Sequence, residues 1–284
     1  MVSVTPPPLI VPPAFAARFH TADELAWLRA LPDTAADLLA RWSLVVDGPP
    51  LHGWCALVLP VRTSAGDPAV LKITWPHPEA EHEALCLSTW AGGGAVRLLA
   101  AEPWALLLER LDPHHSLADE PLDEALAVVA GLLRRLDRPA PPVLRSLRAE
   151  AGRWVRELPD RPAPPELVAQ AVAYCVELGP RAGDRLVNED LHYENVLRAE
   201  REPWLVIDPK PLAGDQEFGL IPLLWNRWEG SDPADRLRGV VDAAGLDWPL
   251  ARKWTFVRAV LEWGAGQDDD PAVAAAPTIA TALV

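Results

Sequence analysis

Three polar residues in two neighbouring segments have the types and the spacing that phosphoryl transfer requires. Asp190 and Asn195 lie five positions apart in a polar loop, and Asp208 ends a short apolar run at 204–207. A kinase needs one carboxylate to orient and deprotonate an attacking hydroxyl, and an amide and a second carboxylate to hold magnesium against the phosphates of ATP. Magnesium prefers a few oxygen ligands completed by phosphate and water. The pattern therefore predicts Asp190 as the catalytic base and Asn195 and Asp208 as magnesium ligands.

The spacing of Asp190 and Asn195 is not specific by itself, because an Asp and an Asn five residues apart also occur together by chance. The position of Asp208 supports the magnesium site. Asp208 ends a strand-like run and is followed by Pro209 and Lys210. A buried strand would hardly end in a carboxylate without a partner cation. An ordinary turn residue is the alternative, and the combination with Asp190 and Asn195 favours the magnesium site.

Lys72 is predicted to bind the nucleotide. It lies near the end of the strand-like run 68–73, and a helix predicted at 79–90 follows. A lysine on such a strand usually extends its ammonium to solvent. In kinases, however, a strand lysine holds the α- and β-phosphates and is oriented by a glutamate on the next helix. Glu83 is the predicted partner because it directly precedes the apolar helix face, and Glu79 and Glu81 remain alternatives.

Two further segments are predicted to contact the nucleotide. The run 106–111 would leave the small lobe as a strand, and backbone groups of Glu109 and Leu111 would hydrogen-bond the adenine edge; an ordinary sheet strand is the alternative. The turn 48–53 lies between the first two predicted strands and would cover the phosphates. Its prolines offer no N–H donors and its two glycines are far apart, so only its position recommends it.

The elements that position these residues change in type along the chain. Thr21 and Glu24 form a predicted capping box that opens a helix, and a second helix is predicted at 35–42. Short polar turns separate most of the strand-like runs that follow, at 43–46, 54–61, 68–73, 95–99 and 104–109. Helical spacing then prevails, at 122–136, 143–158 and 165–178. The loop with Asp190 interrupts this region, between strand-like runs at 185–187 and 196–198.

This order predicts an α+β fold of two lobes. The N-terminal lobe, at 1–108, would hold a helical arm and a nucleotide-binding antiparallel sheet. A hinge is predicted at 109–113. The helical C-terminal lobe, at 114–284, would carry the catalytic loop and the substrate site.

Composition restricts the partners. The 284 residues include 40 acidic and 26 basic side chains, which gives a formal net charge of −14. This balance disfavours nucleic acid and anionic membrane surfaces and favours a cationic small molecule, with solubility alone as the alternative. Cys55, Cys86 and Cys175 lie far apart in apolar contexts, as reduced core cysteines do. Without a signal-peptide pattern or a run of about 20 apolar residues, we expect a cytoplasmic protein with no membrane contact.

On these motifs the chain resembles the aminoglycoside phosphotransferases, and most of all the branch that contains streptomycin 6-kinases and hydroxyurea kinases. The resemblance implies a protein-kinase-like fold with a small antiparallel-sheet N-lobe and a mostly helical C-lobe. It also implies ATP, Mg²⁺ and phosphorylation of a hydroxyl on an aminoglycoside-like antibiotic, and so antibiotic resistance. The matching segments are Val70-Leu71-Lys72, residues 90–99, Leu106-Leu107-Leu108-Glu109-Arg110, Asp190-Leu191-His192-x-x-Asn195-Val196-Leu197, Ile207-Asp208-Pro209-Lys210 and Gly214-Asp215.

Two segments depart from the family's pattern. The family usually reads His-Gly-Asp where this chain has Asn188-Glu189-Asp190. An asparagine can replace one hydrogen bond of that histidine but not its ring packing, and Glu189 adds a carboxylate beside the predicted base. Of the family's Gly-Asp-Pro-x-x-Asp, only the first acid is kept, at Asp215.

Alternatives remain for the acceptor and for activity itself. The same chemistry would serve an amino alcohol or a sugar, and the changed Asn188-Glu189 pair allows a non-catalytic nucleotide-binding protein. The rear lobe offers candidate groups for a cationic acceptor. They are the acids Glu229, Asp232, Asp235 and Asp242, and the tryptophans Trp225 and Trp228, which at helical spacing more often belong to a core.

Overall fold

The computed structural model of the protein describes residues 9–227, 230–266 and 270–284. Contacts divide the chain into two compact units. Unit 1 comprises the described part of Met1–Ala84 together with Arg97–Arg110, and unit 2 comprises Leu85–Val96 together with the described part of Leu111–Val284. The lobe and hinge boundaries at 108 and 113 remain predictions of domain organisation.

Unit 1 is an antiparallel sheet with a helical arm. Its strands follow the order β1-β3-β4-β6-β5, and β2 pairs with β3. The third helix, α3, has its first two residues in unit 1 and the rest in unit 2. The elements are α1 (Pro13–Ala16), α2 (Ala22–Arg41), β1 (Val45–Val46), β2 (Leu51–His52), β3 (Ala56–Arg62), β4 (Pro68–Thr74), α3 (Glu83–Trp90), β5 (Leu98–Glu102) and β6 (Ala105–Glu109).

The arm helix begins as predicted but is longer than predicted. Thr21 and Glu24 form the reciprocal capping box at its start. The prediction of two helices was wrong, because α2 continues through Pro32 to Arg41. An interior proline removes one backbone hydrogen bond. The face that carries Leu31 lies in the same apolar core as the sheet, and this burial outweighs the lost bond.

Unit 2 is mainly helical and holds two small sheets, with strand orders β10-β9-β7 and β11-β8. None of the described helices is both long and apolar enough to cross a bilayer. The elements are β7 (Asp112–Ser116), α4 (Leu122–Leu136), α5 (Leu147–Glu157), α6 (Pro165–Leu178), β8 (Arg185–Asn188), β9 (Val196–Arg198), β10 (Trp204–Val206), β11 (Pro211–Gly214), α7 (Pro222–Trp225), α8 (Pro233–Ala244), α9 (Trp248–Glu262) and α10 (Pro271–Ala282).

The strands on either side of Asp190 do not pair with each other. β8 pairs with β11, where Asn188 is opposite Pro211, and β9 pairs with β10, where Val196 is opposite Val206. The connecting loop therefore passes from one small sheet to another. This crossover brings the loop next to the segment that follows β10.

Asp215 fastens the end of β11 to two other parts of unit 2. Its Oδ2 accepts a hydrogen bond of 2.9 Å from the indole N–H of Trp254, a fully buried residue of α9. Its Oδ1 accepts a hydrogen bond of 2.8 Å from the backbone N–H of Gly183. The one acid that this chain shares with the family's second motif thus has a structural role.

Replacing Asp215 by alanine should destabilise unit 2. The change leaves the Trp254 indole N–H without its acceptor, and an unsatisfied buried donor costs about 1–3 kcal/mol. Urea unfolding followed by tryptophan fluorescence and circular dichroism measures the loss. Asp242→Ala, which removes an exposed carboxylate from α8, is the control and should leave the midpoint nearly unchanged. Equal midpoints for the two variants would contradict the role given to Asp215.

Candidate active site

In unit 1, Lys72 and Glu83 form a buried ion pair. Lys72 Nζ lies 2.7 Å from both carboxylate oxygens of Glu83. The two residues are 6% and 3% exposed, and charges so far from water are tolerated only when they are paired and hydrogen-bonded. Of the three candidate glutamates, Glu83 is therefore the partner, whereas Glu79 and Glu81 are exposed.

The predicted helix start at 79 was wrong, because Pro78–Ala80 is a 3-10 turn and α3 begins at Glu83.

Glu109 and Leu111, the residues predicted to contact adenine, lie on either side of the division between the units. Glu109 ends β6, and its N–H donates to the carbonyl of Arg97 at 3.0 Å. Its carboxylate accepts the N–H of Arg97 at 2.8 Å. Leu111 is half-buried and directly precedes β7. The backbone N–H of Glu109 is thus engaged within the sheet, and the adenine contact remains a prediction.

In unit 2, two hydrogen bonds bring the segments of Asp190, Asn195 and Asp208 into one neighbourhood. The side-chain amide of Asn195 donates to the carbonyl of Asp190 at 3.1 Å. The carbonyl of Asn195 accepts the N–H of Ile207, the residue before Asp208, at 2.9 Å. The five-residue spacing therefore closes a compact loop whose end is fixed to the start of the Asp208 turn.

Asp208 has a left-handed backbone, with φ of 50°. This region is unfavourable for residues other than glycine, although aspartate tolerates it better than most. The turn ends the strand β10 and leads into Pro209 and Lys210. Such strain persists where surrounding structure holds it and is common at functional sites.

Asn188 ties the two segments together. Its Oδ1 accepts two backbone hydrogen bonds of 3.1 Å, one from the N–H of Asp190 and one from the N–H of Lys210. The residue is 7% exposed. Gly219 packs so closely that a Cβ there would lie 2.5 Å from the Asn188 carbonyl. Sequence reasoning missed this bridge, although the family's different residue at this position was a signal.

The extra carboxylate of Glu189 is neutralised. It pairs with the guanidinium of Arg145, which also lies 4.0 Å from Glu150. The backbone carbonyl of Glu189 accepts a hydrogen bond of 3.0 Å from Arg258. The Glu189 carboxylate is therefore bound to the segment just before α5, and its carbonyl is bound to α9, which carries Arg258.

Lys210 places an ammonium against the predicted base. Its Nζ lies 3.2 Å from Oδ2 of Asp190, and the two side chains are 35% and 23% exposed. The sequence indicates Lys210 only as the last residue of the motif Ile207-Asp208-Pro209-Lys210. Composition held a further signal, because only three of the 26 basic residues are lysines.

The middle of the loop that carries Asp190 is bound to α7 through Tyr193. Tyr193 is fully buried, and its hydroxyl donates to the carbonyl of Leu223 at 3.1 Å. Burial raises the pKa of Tyr193 to about 12, which keeps the phenol protonated as a donor. Arg236 donates to the same carbonyl at 3.2 Å and to three other carbonyls nearby. The loop with Asp190 is thus fixed to the end of α7.

The groups predicted to favour a cationic acceptor are only partly described. Asp232 caps α8 by accepting the N–H groups of Ala234 and Asp235, and Trp225 is 9% exposed. Both have structural roles. Asp235 and Asp242 are exposed on α8, and Trp228 and Glu229 lie outside the described residues.

The donor set suits magnesium. The amide oxygen of Asn195 and the carboxylate of Asp208 are hard oxygen ligands, and magnesium commonly takes one or two carboxylates and completes its shell with phosphate and water. No cage of three or more His, Cys, Asp or Glu side chains occurs in the described part of the chain. An ion held here would therefore depend on few protein ligands, as at a nucleotide site.

Comparison with known proteins gives the family. Residues 41–270 match the family model described as aminoglycoside/hydroxyurea antibiotic resistance kinase. The chain belongs to this family. Its membership confirms the predicted family and the prediction that the chain is a phosphotransferase.

Characterised relatives cover most of the chain. It is 41% identical to a streptomycin 6-kinase of Streptomyces glaucescens over 287 residues, which cover 94% of each chain. It is 43% identical to a streptomycin 6-kinase of Streptomyces griseus over 251 residues, 82% of each chain. It is also 40% identical to a hydroxyurea phosphotransferase of Kitasatospora aureofaciens, over 86% of this kinase and 75% of the relative.

Solved structures confirm the predicted fold class. A choline kinase of Streptococcus pneumoniae matches 89% of the chain and 98% of its own, with a TM-score of 0.62 and 12% identity. A macrolide 2'-phosphotransferase of Brachybacterium faecium matches 88% and 97%, with a TM-score of 0.55 and 18% identity. At such low identity these neighbours show the fold alone. The fold of this kinase is α+β and protein-kinase-like.

The pairing of Glu189 with Arg145 can be tested through stability. Arg145→Met should lower the free energy of unfolding by about 1–3 kcal/mol, because it leaves a half-buried carboxylate without its cation. Glu189→Gln in the same background should recover at least half of that loss. Chemical denaturation measures both, with Arg148→Met, which removes an exposed arginine of α5, as the control. Strictly additive losses in the double variant would show that the two side chains do not interact.

Proposed function

We propose that this kinase transfers the γ-phosphoryl group of ATP to a hydroxyl of a streptomycin-type aminoglycoside, with Mg²⁺ as the metal. The observation that carries the proposal is the joint presence of Asp190, Asn195 and Asp208 in one hydrogen-bonded loop system of a chain 41% identical, over almost its whole length, to a streptomycin 6-kinase. Modification of such an antibiotic would give the cell resistance to it.

Each residue has a defined task in this proposal. Asp190 orients the acceptor hydroxyl and accepts its proton, which is the work of a general base. Lys72, held by Glu83, binds the phosphates of the nucleotide, and backbone groups of Glu109 and Leu111 bind the adenine edge. Asn195 and Asp208 hold the metal, which when bound neutralises charge on the phosphate oxygens. Positioning and electrostatics supply most of the catalysis in such a reaction.

The charge of the chain supports a cationic acceptor. With a net charge of −14, the protein surrounds itself with a field that attracts cations. The reaction uses ATP, and the three cysteines form no disulfide, so we place the enzyme in the cytoplasm. Hydroxyurea is the second candidate acceptor, because the relative that phosphorylates it is 40% identical.

An acceptor panel tests the proposed substrate. Purified protein with Mg²⁺-ATP should phosphorylate streptomycin, with transfer of radiolabelled γ-phosphate and a mass increase of one phosphoryl group. Hydroxyurea, choline, ethanolamine and simple sugars serve as the comparison set. Turnover of hydroxyurea alone would replace streptomycin by the second candidate, and turnover of choline or a sugar alone would make the protein a metabolite kinase.

Substitution of Asp190 tests the proposed base. Asp190→Ala should lower kcat by about 10²–10⁴-fold, the usual contribution of a general base, while calorimetry finds nucleotide affinity unchanged. Glu194→Ala is the matched control, because it removes an exposed carboxylate from the same loop and should retain full activity. Retention of wild-type kcat by Asp190→Ala would exclude this residue as the base.

A further inference from the structure

The backbone N–H and the backbone carbonyl of Lys210 both form hydrogen bonds. Its N–H donates to Oδ1 of Asn188 at 3.1 Å. Its carbonyl accepts the N–H of Glu189 at 3.0 Å. Since β8 and β11 pair directly beyond this point, with Asn188 opposite Pro211, the Cα of Lys210 is fixed relative to the loop that carries Asp190.

The same acceptor fixes the other partner. Oδ1 of Asn188 also receives the N–H of Asp190 at 3.1 Å. One buried amide oxygen thus binds the backbone of both residues. A lysine side chain has about 2 kcal/mol of rotamer entropy to lose when it is immobilised, and fixing both backbones leaves only the side-chain torsions to be ordered.

Other charged residues lie close to this pair in the sequence. The Glu189 carboxylate, next to Asp190 in sequence, is paired with Arg145. His192 and Glu194, further along the loop, lie 3.9 Å apart, and Asp208 precedes Lys210 by two residues. Lys210, at 3.2 Å, is the cation that meets the Asp190 carboxylate in the described structure.

An ammonium and a guanidinium at position 210 would bind the Asp190 carboxylate differently. The chain has 26 basic residues and three lysines, at 72, 210 and 253. The ammonium is a compact point charge, whereas the planar guanidinium is larger and prefers to bind both oxygens of a carboxylate. A bidentate arginine would occupy both oxygens of Asp190.

We propose that Lys210 is a positioning residue for the reaction: its ammonium fixes Oδ2 of Asp190 and leaves Oδ1 for the acceptor hydroxyl, and Asn188 holds the two in register. This inference rests on the proposed role of Asp190 as base. In the reaction the hydroxyl oxygen bonds to the γ-phosphorus as the bond to the ADP oxygen breaks. The hydroxyl proton goes to Asp190, and Lys210 neither gains nor loses a proton.

The test is a double-mutant cycle between residues 190 and 210, measured with the acceptor identified by the panel. Lys210→Met should lower kcat by about 10–100-fold, because a misplacement of about 1 Å can cost 10²-fold in rate. The KM values for ATP and acceptor should change by less than about threefold, since ground-state binding is retained. In an Asp190→Asn background, Lys210→Met should cause less than about a twofold further loss, because a residue that acts through Asp190 has nothing left to position.

Conservative and control variants complete the experiment. Lys210→Arg should retain more activity than Lys210→Met but less than the wild type. Lys253→Met removes a lysine of α9 that pairs with Glu177 of α6 and should leave kcat unchanged. Thermal unfolding and nucleotide binding by calorimetry establish that each variant is folded. If Lys210→Met proves unstable, Lys210→Gln, which keeps much of the stem, enters the same cycle.

Three results would overturn the proposal or its basis, and they are distinguishable. A Lys210→Met enzyme with kcat within about threefold of wild type removes Lys210 from the reaction. A loss that multiplies in full in the Asp190→Asn background means that Lys210 acts independently of Asp190. Wild-type activity of Asp190→Asn itself would instead refute the proposed base, whatever Lys210 does.

Discussion

The arrangement of unit 2 around Asp190 depends on one buried amide oxygen. Oδ1 of Asn188 accepts the N–H groups of Asp190 and Lys210, which belong to segments 20 residues apart in sequence. If either bond were lost, the backbone N–H of Asp190 or Lys210 would lose its acceptor, at a cost of about 1–3 kcal/mol if the group stayed buried. The bridge therefore links the loop that holds the proposed base to the segment that follows Asp208.

Charged candidate residues are paired in each of the two units. Lys72 has Glu83, Glu189 has Arg145, and Asp190 has Lys210. Pairing offsets part of the desolvation cost of a buried charge. The departure from the family at Asn188-Glu189 is accommodated in two ways. The amide oxygen of Asn188 accepts two hydrogen bonds. The added carboxylate of Glu189 pairs with Arg145, in the segment just before α5.

Local pattern was a good guide to some elements and a poor guide to others. The helices at 122–136 and 165–178 have the predicted bounds, because apolar spacing and proline breaks are local signals. The prediction of a separate second helix at 35–42 was wrong, since the burial that carries α2 through Pro32 depends on the distant sheet. The loop around Asp190 was expected between two neighbouring strands, yet each of those strands pairs elsewhere. Strand pairing is non-local and leaves little trace in a short run.

By itself the sequence determined the family, and it predicted the site residues from the types and spacing of Asp190, Asn195 and Asp208 and from the strand lysine Lys72. These follow from the covalent order of the chain and the donors that each side chain offers. Only the tertiary structure decided that Glu83 pairs with Lys72, that Arg145 neutralises Glu189, and that Asn188 sets Lys210 against Asp190. Each of these partners is distant in sequence or is one of several candidates. Burial and hydrogen-bond geometry choose among them, and both exist only once the chain has folded.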